Sequence, residues 1–518
     1  MDAVRTRPAS RATKWAALLL LCAATVALAA LSPRAIPFSM DEFVHDHALG
    51  CALYPLSGEY QIYREGCTQY ALRLPFGTRF RRLRSFDYIG SAPALPFFLL
   101  RAIVPRPVVA RIQGALYFLL ALWLSSLDLG VSFSSGFLAA LVFPLYPLAF
   151  VVDTGPTGPT IVLLAAAMLA LRRGLASDVV GRQLVLGGLA GLAVFLGFFT
   201  KPTFAWLLPP LVLVVLGRDD TTRPASAHRS RILPALAAFA TASAVPVLML
   251  VLSTDVQGRR YLELLLAKGA PGGAAAVHGA LQRLAPYFVD GAAVMPRMIR
   301  LASSPLDVLP VLTSACLIGG ALLLLPGERR TIALLLGSGA IAFAAMAFNP
   351  ASWAPHHAVL ALVFVVWAMA VAIDRLPRRA LACLVAAIAC FWLSLGVRLA
   401  SAPTSGDTNA SKDRLVEHIW QSGLDARTVQ VHVSWGTYYI SHLFGDRSQI
   451  VLYIDEFDRS PAIVAHVREL AARYGRTILV IAEDDAARGR RERALHGLLG
   501  EPRHEYRFGN WSAVEYSP

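Results

Sequence analysis

The sequence predicts an α-helical polytopic membrane protein with about eleven or twelve apolar helices and a small α/β domain at the C-terminal end. Of its 518 residues, 56% are apolar and only 16% are charged, whereas a soluble domain carries about 25% charged residues. Apolar runs of helix length recur from residue 15 to residue 398. Beyond residue 402 the apolar runs are shorter, and strand-like runs alternate with helical runs. This pattern is typical of a soluble α/β domain.

Twelve apolar segments are long enough, or nearly so, to cross a bilayer as helices. The first follows a basic N-terminus and ends at Leu31-Ser32-Pro33-Arg34, which is a poor cleavage site. We therefore interpret it as a retained helix and not as a signal peptide. The twelve segments cover residues 15–36, 88–104, 108–127, 131–150, 159–171, 183–199, 203–217, 232–253, 306–325, 331–348, 358–373 and 380–398.

The basic loops indicate how many of these segments cross. Short cytoplasmic loops collect Arg and Lys, and the basic N-terminus is expected in the cytoplasm. If all twelve segments crossed, the four basic loops after residue 150 would lie outside. If one segment between 88 and 150 does not cross, all four loops lie in the cytoplasm instead. The weakest candidate is 88–104, which is short, contains two prolines and is interrupted by Arg101. Eleven crossings then place loop 37–87 and the tail 403–518 on the same, outer side.

The net charge of +14 belongs to the membrane part of the chain. Residues 403–518 carry 14 basic and 16 acidic side chains, so the whole excess lies in residues 1–402. Because no basic face with interleaved aromatic residues is present, nucleic acid is not expected as a partner. Cys51 and Cys67 lie in loop 37–87, and we expect them to pair as a disulfide if that loop faces an oxidising compartment.

The outer loop 37–87 holds two groups of candidate site residues. Asp41 and Glu42 are adjacent carboxylates, which take up a proton or hold a divalent cation; a solvated loop after a helix is the alternative. Later in the loop, apolar residues interrupt a basic run. That run would either anchor the chain to anionic headgroups or cradle a lipid phosphate. Its candidate substrate-binding residues are Arg81, Arg82 and Arg84.

Three further polar positions share the outer side in the eleven-crossing arrangement. Asp153 follows the fourth apolar segment in a Gly- and Pro-rich turn; it is either a functional acid at the membrane edge or a helix cap. Lys201 stands between two apolar runs; it either snorkels or binds an anionic ligand. His356 and His357 precede a helix and are candidate substrate-binding residues, with an exposed surface pair as the alternative.

Residues 403–518 are predicted to form an extracytoplasmic α/β domain with a mainly parallel sheet, after a linker at residues 401–410. Strand-like runs alternate with helical runs. Neither a Gly-x-Gly-x-x-Gly fingerprint nor a Walker loop is present. The predicted strands are 428–433, 450–454 and 477–482, and the predicted helices are 461–474 and 485–499.

The order of these motifs resembles the GT-C membrane glycosyltransferases, which include lipid A aminoarabinose transferases and protein O-mannosyltransferases. Asp41-Glu42 follows the first helix as that family's acidic pair does, and Asp153 comes where its second acid stands. The stretch Gly197 to Pro202 is similar to the family's Gly-to-Lys stretch, and Ala110-Arg111 opens a helix as in the family. The resemblance covers residues 15–217 by motif and the remainder by architecture only. It departs at residues 92–96, Ala-Pro-Ala-Leu-Pro, where the family has Pro-Pro-Leu with aromatic residues.

The resemblance implies inverting transfer of a sugar from a polyprenyl-phosphate donor to a lipid, glycan or protein acceptor at the outer face of a bacterial cytoplasmic membrane. In that mechanism Asp41 is the general base, while Glu42 and Asp153 orient it or bind a divalent metal. Lys201 and the Arg79–Arg84 run stabilise the departing lipid phosphate. No cofactor is certain from the motifs.

Two other classes of function remain open from the residues alone. The protein could be a transporter or flippase of a lipid-linked sugar, or a non-catalytic membrane scaffold. A transporter is expected to show polar residues in mid-membrane and inverted repeats, and neither is visible in the sequence.

Overall fold

The structure is a computed structural model of the chain. The described residues are 19, 21–29, short pieces between 72 and 100, 106–151, 157–217, 225–252, 278–279, 281–282, 304–347, 355–401, 408–433, 437, 450–453, 461–483 and 498–518.

The described residues between 19 and 401 form a helical bundle, as the apolar segments predict. Residues 21–29 are helical within the first predicted segment. Two short antiparallel strand pairs and a six-residue 3-10 helix, Ala92–Phe97, precede the first long helix. The short strands are β1 (Leu72–Arg73), β2 (Arg79–Phe80), β3 (Arg84–Ser85) and β4 (Ile89–Gly90). The helices are α1 (Arg106–Leu129), α2 (Phe133–Val142), α3 (Leu145–Val151), α4 (Thr157–Leu175), α5 (Val180–Thr200), α6 (Leu208–Gly217), α7 (Ala225–Leu252), α8 (Leu309–Leu324), α9 (Arg329–Ala347), α10 (Pro355–Asp374) and α11 (Arg378–Ser401).

Seven helices in the described part are long and apolar enough to cross a membrane. The pair α2 and α3 adds an eighth apolar stretch, but it is bent by 99°, so segment 131–150 is not one straight helix. Two shorter apolar stretches, Thr203–Val215 and Leu233–Leu248, match the predicted segments at 203–217 and 232–253. Segment 88–104 differs from the others, because its described residues form a short strand and a 3-10 helix.

Polar contacts define one end of the bundle, which we call the charged end. The Asp374 carboxylate accepts hydrogen bonds from the Ser132 backbone N–H at 2.9 Å and from the Ser135 hydroxyl at 3.0 Å. These contacts join the end of α10 to the start of α2. Arg172 pairs with the buried Asp128 at 3.4 Å, which joins the ends of α4 and α1.

The loop between α8 and α9 belongs to the charged end as well. Its Glu328 carboxylate pairs with Arg375, next to Asp374, at 2.8 Å. The basic loops at Arg172, Arg329 and Arg375 therefore lie at one end of the bundle. Eleven and twelve crossings both place these loops together, so the number of crossings stays a prediction.

The opposite end is defined by Lys201, and we call it the Lys201 end. Lys201 lies 3.4 Å from His357, which belongs to the first turn of α10, whereas the last turn of α10 lies at the charged end. At the same end, Arg398 near the close of α11 donates two hydrogen bonds to Asp307, at 3.0 and 2.6 Å. Asp307 also completes a capping box with Ser304 ahead of α8.

Helix α10 lies at the centre of the bundle. It packs against α1, α2, α3, α4, α8 and α9. Of its residues His357–Asp374, 89% are buried. Its sequence is apolar around the whole circumference, which is the composition expected of a helix surrounded by other helices. His357 is therefore carried into the protein interior by the helix on which it lies.

Residues 408–518 form a separate α/β unit. Its elements are α12 (Thr408–Gln421), α13 (Leu424–Arg427), β5 (Thr428–His432), β6 (Ile450–Tyr453), α14 (Pro461–Tyr474), β7 (Thr477–Glu483), β8 (Pro502–Phe508) and β9 (Trp511–Tyr516). The strand order is β6-β5-β7-β9-β8. One face of the sheet packs Val429, Val431 and Val480 against α14, and the other packs Leu479 and Ile481 against α12.

Four predictions about this unit need correction or stay open, and one hairpin was not predicted. The sheet is mixed and not mainly parallel, because β7, β9 and β8 pair antiparallel. The hairpin of β8 and β9 was not predicted from the sequence, because β8 is an exposed edge strand of mostly polar residues. The predicted linker 401–410 is shortened by α12, which begins at Thr408. Of the predicted helix 485–499, residues 485–497 lie outside the described residues, as does the boundary at 402/403.

We expect loop 37–87 and the C-terminus on the outer side of the membrane. Reporter fusions after residue 60 and at the C-terminus should give the same, extracytoplasmic signal, because the basic loops of the charged end hold that end in the cytoplasm. A fusion after Ser177, between α4 and α5, should give the cytoplasmic signal. Opposite signals from residue 60 and the C-terminus would refute eleven crossings.

We expect the C-terminal unit to lose stability as the pH falls. His432 is fully buried, and burial lowers its pKa to about 3, so the folded state stays unprotonated at a pH where the unfolded state takes up a proton. The free energy of unfolding should therefore fall as the pH drops below about 6.5, by about 2 kcal/mol at pH 5, and level off near pH 3.

The matching measurement is the thermal midpoint of the full chain at pH 7.5 and at pH 5. His432→Gln removes the titrating group and should reduce the difference between the two midpoints, whereas His504→Gln, at an exposed position, should leave it unchanged. An equal difference in wild type and His432→Gln would contradict the assignment.

Candidate functional site

The candidate site is built around the break in the chain at Lys201. Helix α5 ends at Thr200 because Pro202 lacks the N–H needed to continue it, and proline also drives the residue before it to an extended conformation. Lys201 has φ −157° and ψ 131°, as this rule predicts. The chain then re-enters a 3-10 helix, Pro202–Leu207, which leads into α6.

Gly197 allows this turn to fold back onto α5. A Cβ atom at residue 197 would lie 2.4 Å from the ring of Phe204, a distance at which atoms overlap. Without a Cβ atom, the fully buried Phe204 ring packs against the last turn of α5. The Gly197 to Pro202 stretch therefore has a physical meaning: the glycine and the proline together fix where Lys201 stands.

The structure brings Lys201 together with His357, a residue 156 positions further along the chain. The Lys201 Nζ and His357 Nε2 atoms are 3.4 Å apart, and each residue is only 7% exposed. The Trp206 ring meets the imidazole edge-on, with ring centroids 5.7 Å apart and an interplanar angle of 71°. Lys201 and Trp206, which both contact His357, thus come from the same turn after α5.

This arrangement places a buried cation at the membrane end of the bundle. Burying an ammonium group among apolar side chains is costly unless acceptors or an anion surround it. The imidazole supplies one acceptor. In such an environment the attraction between an ammonium group and a phosphate oxygen is much stronger than in water. The site therefore has the chemistry to bind an anionic group that approaches from the Lys201 end.

The other predicted site residues are only partly visible. Asp41, Glu42, Asp153, Arg81 and Arg82 lie outside the described residues, as do Cys51 and Cys67 and their predicted disulfide. Arg84 belongs to the two-residue strand β3, and His356 to the first turn of α10; for these two only the backbone is described. Helix α4 begins at the Lys201 end, because its last turn lies at the charged end.

No group of three potential metal ligands occurs among the described residues. The acids for which a divalent cation was predicted, Asp41, Glu42 and Asp153, are outside this part of the chain. Their role in metal binding stays a prediction.

Arg111 is a buried cation that was not selected from the sequence as a candidate site residue. It lies in the second turn of α1, at the Lys201 end, and is fully buried. Beside it, the Gln113 side chain and the Tyr117 hydroxyl both donate hydrogen bonds to the Pro93 carbonyl oxygen, so the 3-10 helix Ala92–Phe97 is fastened to α1. In the sequence, the only sign of this burial is an arginine within an apolar segment. A count of charges alone assigns such an arginine to the end of a helix.

The fold is similar to that of a solved membrane glycosyltransferase. ArnT from Cupriavidus metallidurans, in a crystal structure bound to undecaprenyl phosphate, superposes with a TM-score of 0.59 over 97% of this chain and 98% of that chain, at 13% sequence identity. The chain has the GT-C fold. An oligosaccharyltransferase from Archaeoglobus fulgidus also matches, with a TM-score of 0.39, 12% identity and coverage of 92% of this chain and 71% of that chain. Neither a family model nor a curated protein sequence matches.

The comparison confirms the predicted GT-C fold from one end of the chain to the other. The motif resemblance reached only to residue 217, whereas the structural match extends over the C-terminal unit as well. Within this GT-C fold, Lys201 and His357 are the two predicted site residues that the structure shows in contact.

We expect Gly197→Ala to disturb the Lys201 turn. The added methyl group overlaps the Phe204 ring, and such overpacking costs about 1–3 kcal/mol, which exceeds the gain of up to about 1 kcal/mol from replacing a helical glycine. The thermal midpoint in detergent should therefore fall. Gly188→Ala is the matched control, because a Cβ atom there meets open space on the same helix; it should leave the midpoint unchanged or raise it. A stable Gly197→Ala protein would refute the packing role of Gly197.

Proposed function

We propose that the protein transfers a sugar from a polyprenyl-phosphate donor to an acceptor at the outer face of the cytoplasmic membrane. The observation that carries the proposal is the buried Lys201 at one membrane end of a GT-C fold. ArnT, whose fold the chain shares, binds undecaprenyl phosphate in its crystal structure. A lipid phosphate is an anion that stays in the membrane interface, and the Lys201 end is one of the two ends of the apolar bundle, where such an interface is expected.

The chemistry needs a base near the acceptor and positive charge near the leaving group. In the proposed mechanism the Asp41 carboxylate takes the proton from an acceptor hydroxyl. The hydroxyl oxygen attacks the anomeric carbon as the bond from that carbon to the phosphate oxygen breaks. Because attack comes from the face opposite the phosphate, the configuration inverts.

Lys201 serves the other half of the reaction. Negative charge grows on the phosphate oxygens as the glycosidic bond breaks, and a preorganised ammonium group in a dry site stabilises that charge without reorganising solvent. Burial of Lys201 and the fixed turn before Pro202 provide this preorganisation. The basic residues Arg81, Arg82 and Arg84 are proposed to hold the same lipid phosphate from loop 37–87.

The reaction also admits a divalent cation at the outer acids. Asp41, Glu42 and Asp153 are the candidate ligands, since oxygen ligands suit hard divalent cations. Such an ion would screen the donor phosphate. Transfer measured with and without a chelator, followed by addition of single metals, decides whether the ion is required.

We expect Asp41→Asn to abolish most of the transfer. The amide keeps the size of the side chain but cannot take up a proton, so the transfer rate should fall by about 100- to 10,000-fold at an unchanged amount of folded protein. The assay follows sugar transfer from a radiolabelled polyprenyl-phosphate donor in membranes. Near wild-type transfer would remove Asp41 from the mechanism and shift the role to Glu42 or Asp153.

We expect Lys201→Met to impair both donor binding and the chemical step. Methionine fills similar space but carries no charge, so KM for the donor should rise and kcat should fall, with a combined loss in kcat/KM of at least about 100-fold. Lys412→Met is the matched control, because Lys412 is an equally buried lysine of the C-terminal unit. Its transfer rate per folded molecule should match that of wild type. Equal rates for the Lys201 and Lys412 variants would contradict the role of Lys201.

A transporter or flippase of a lipid-linked sugar remains the alternative for the same fold. The two functions differ in product: a transferase releases polyprenyl phosphate and a glycosylated acceptor, whereas a flippase returns the intact donor in the other leaflet. Reconstituted vesicles that contain the donor in one leaflet separate the two outcomes.

A further inference from the structure

The contact between Lys201 and His357 carries an inference that rests on the proposed function and extends it. We propose that His357 is a positioning residue for Lys201: its Nε2 atom accepts a hydrogen bond from the ammonium group and holds that group where it binds a phosphate oxygen of the lipid donor. From the sequence, His357 is a candidate substrate-binding residue, with an exposed surface pair as the alternative. The geometry assigns it a place behind Lys201.

The chemistry of the two groups fixes the direction of the hydrogen bond. An ammonium group has three donors and no acceptor, whereas an imidazole nitrogen accepts only when it carries no proton. At a separation of 3.4 Å, Lys201 therefore donates and the His357 Nε2 atom accepts. The imidazole is then neutral, with its own proton on Nδ1. The pair as a whole carries a single positive charge.

The position of the His357 imidazole is restrained by the helix and the ring that surround it. His357 stands on the first turn of α10, the central helix of the bundle, and packs edge-on against Trp206. Lys201, by contrast, has a flexible stem of four carbon atoms. When a rigid acceptor restrains a flexible donor, the donor loses less conformational entropy when the ligand binds.

The same contact joins two separate parts of the fold. Lys201 and Trp206 come from the turn between α5 and α6, whereas His357 comes from α10. A hydrogen bond between them fixes the ammonium group relative to the central helix and not only relative to its own turn. An ammonium group displaced by about 1 Å would lose much of its effect on a developing phosphate charge.

The test uses undecaprenyl phosphate binding to the full-length protein, measured in detergent without any sugar transfer. His357→Leu removes the acceptor and should weaken binding by roughly tenfold, which is typical of losing one hydrogen bond to a charged group. His357→Gln should restore affinity to within about threefold of wild type, because its amide oxygen reaches the place of Nε2. His357→Asn, one methylene shorter, should not. His504→Leu, at an exposed strand position, is the control and should bind as wild type.

A double-variant cycle separates positioning from direct contact. If His357 acts through Lys201, His357→Leu should have no further effect on binding once Lys201→Met is present. If His357 touches the phosphate itself, the two losses should multiply, and that outcome overturns the inference. In transfer assays, His357→Leu should raise the KM for the donor, whereas His357→Gln should leave KM near that of wild type.

The outcomes also distinguish this inference from the proposed function. Wild-type binding and transfer together with unchanged binding by His357→Leu would overturn the role of His357 and leave the function intact. Absence of undecaprenyl phosphate binding by the wild type would overturn both. If His357→Leu does not fold, the comparison of the Gln and Asn variants decides, since both are polar and only Gln reaches Lys201; equal affinities would refute the inference.

Discussion

The cost of burying charge between apolar helices organises this structure. The ion pairs that the structure describes in the bundle join segments that are distant in sequence, because an unpaired charge in a medium of low polarity is costly. The Asp128–Arg172 and Asp307–Arg398 pairs do so at opposite ends. These contacts fix which helix ends meet, and so they fix which residues share a face of the membrane.

The cost of burying charge applies to Lys201 as well, but its described contact is not an ion pair. Its Nζ atom lies 3.4 Å from the imidazole of His357, a group that accepts a hydrogen bond without adding a negative charge. A carboxylate there would neutralise the ammonium group and remove its attraction for an anionic ligand. The contact with His357 is therefore compatible with the proposed binding and release of a lipid phosphate.

The local rules of the sequence reach the site through its backbone. Pro202 ends α5 and sets the extended conformation of Lys201, and Gly197 leaves the space in which Phe204 packs. These effects depend on residues within eight positions of one another. For that reason the turn could be identified from the sequence as an interruption between two apolar runs, although its geometry could not.

The sequence by itself determined the apolar helices, the two faces of the membrane domain and the presence of an α/β unit, because hydrophobic periodicity and loop charge are local properties. It also gave correct positions for β5, β6, α14 and β7. It missed the β8–β9 hairpin, since an edge strand exposed to solvent lacks the apolar alternation by which strands are recognised. Only the tertiary structure decided that Lys201 meets His357 and that Arg111 is fully buried. These facts depend on how helices pack against α10, and contacts between residues 156 positions apart leave no periodic signal in one sequence.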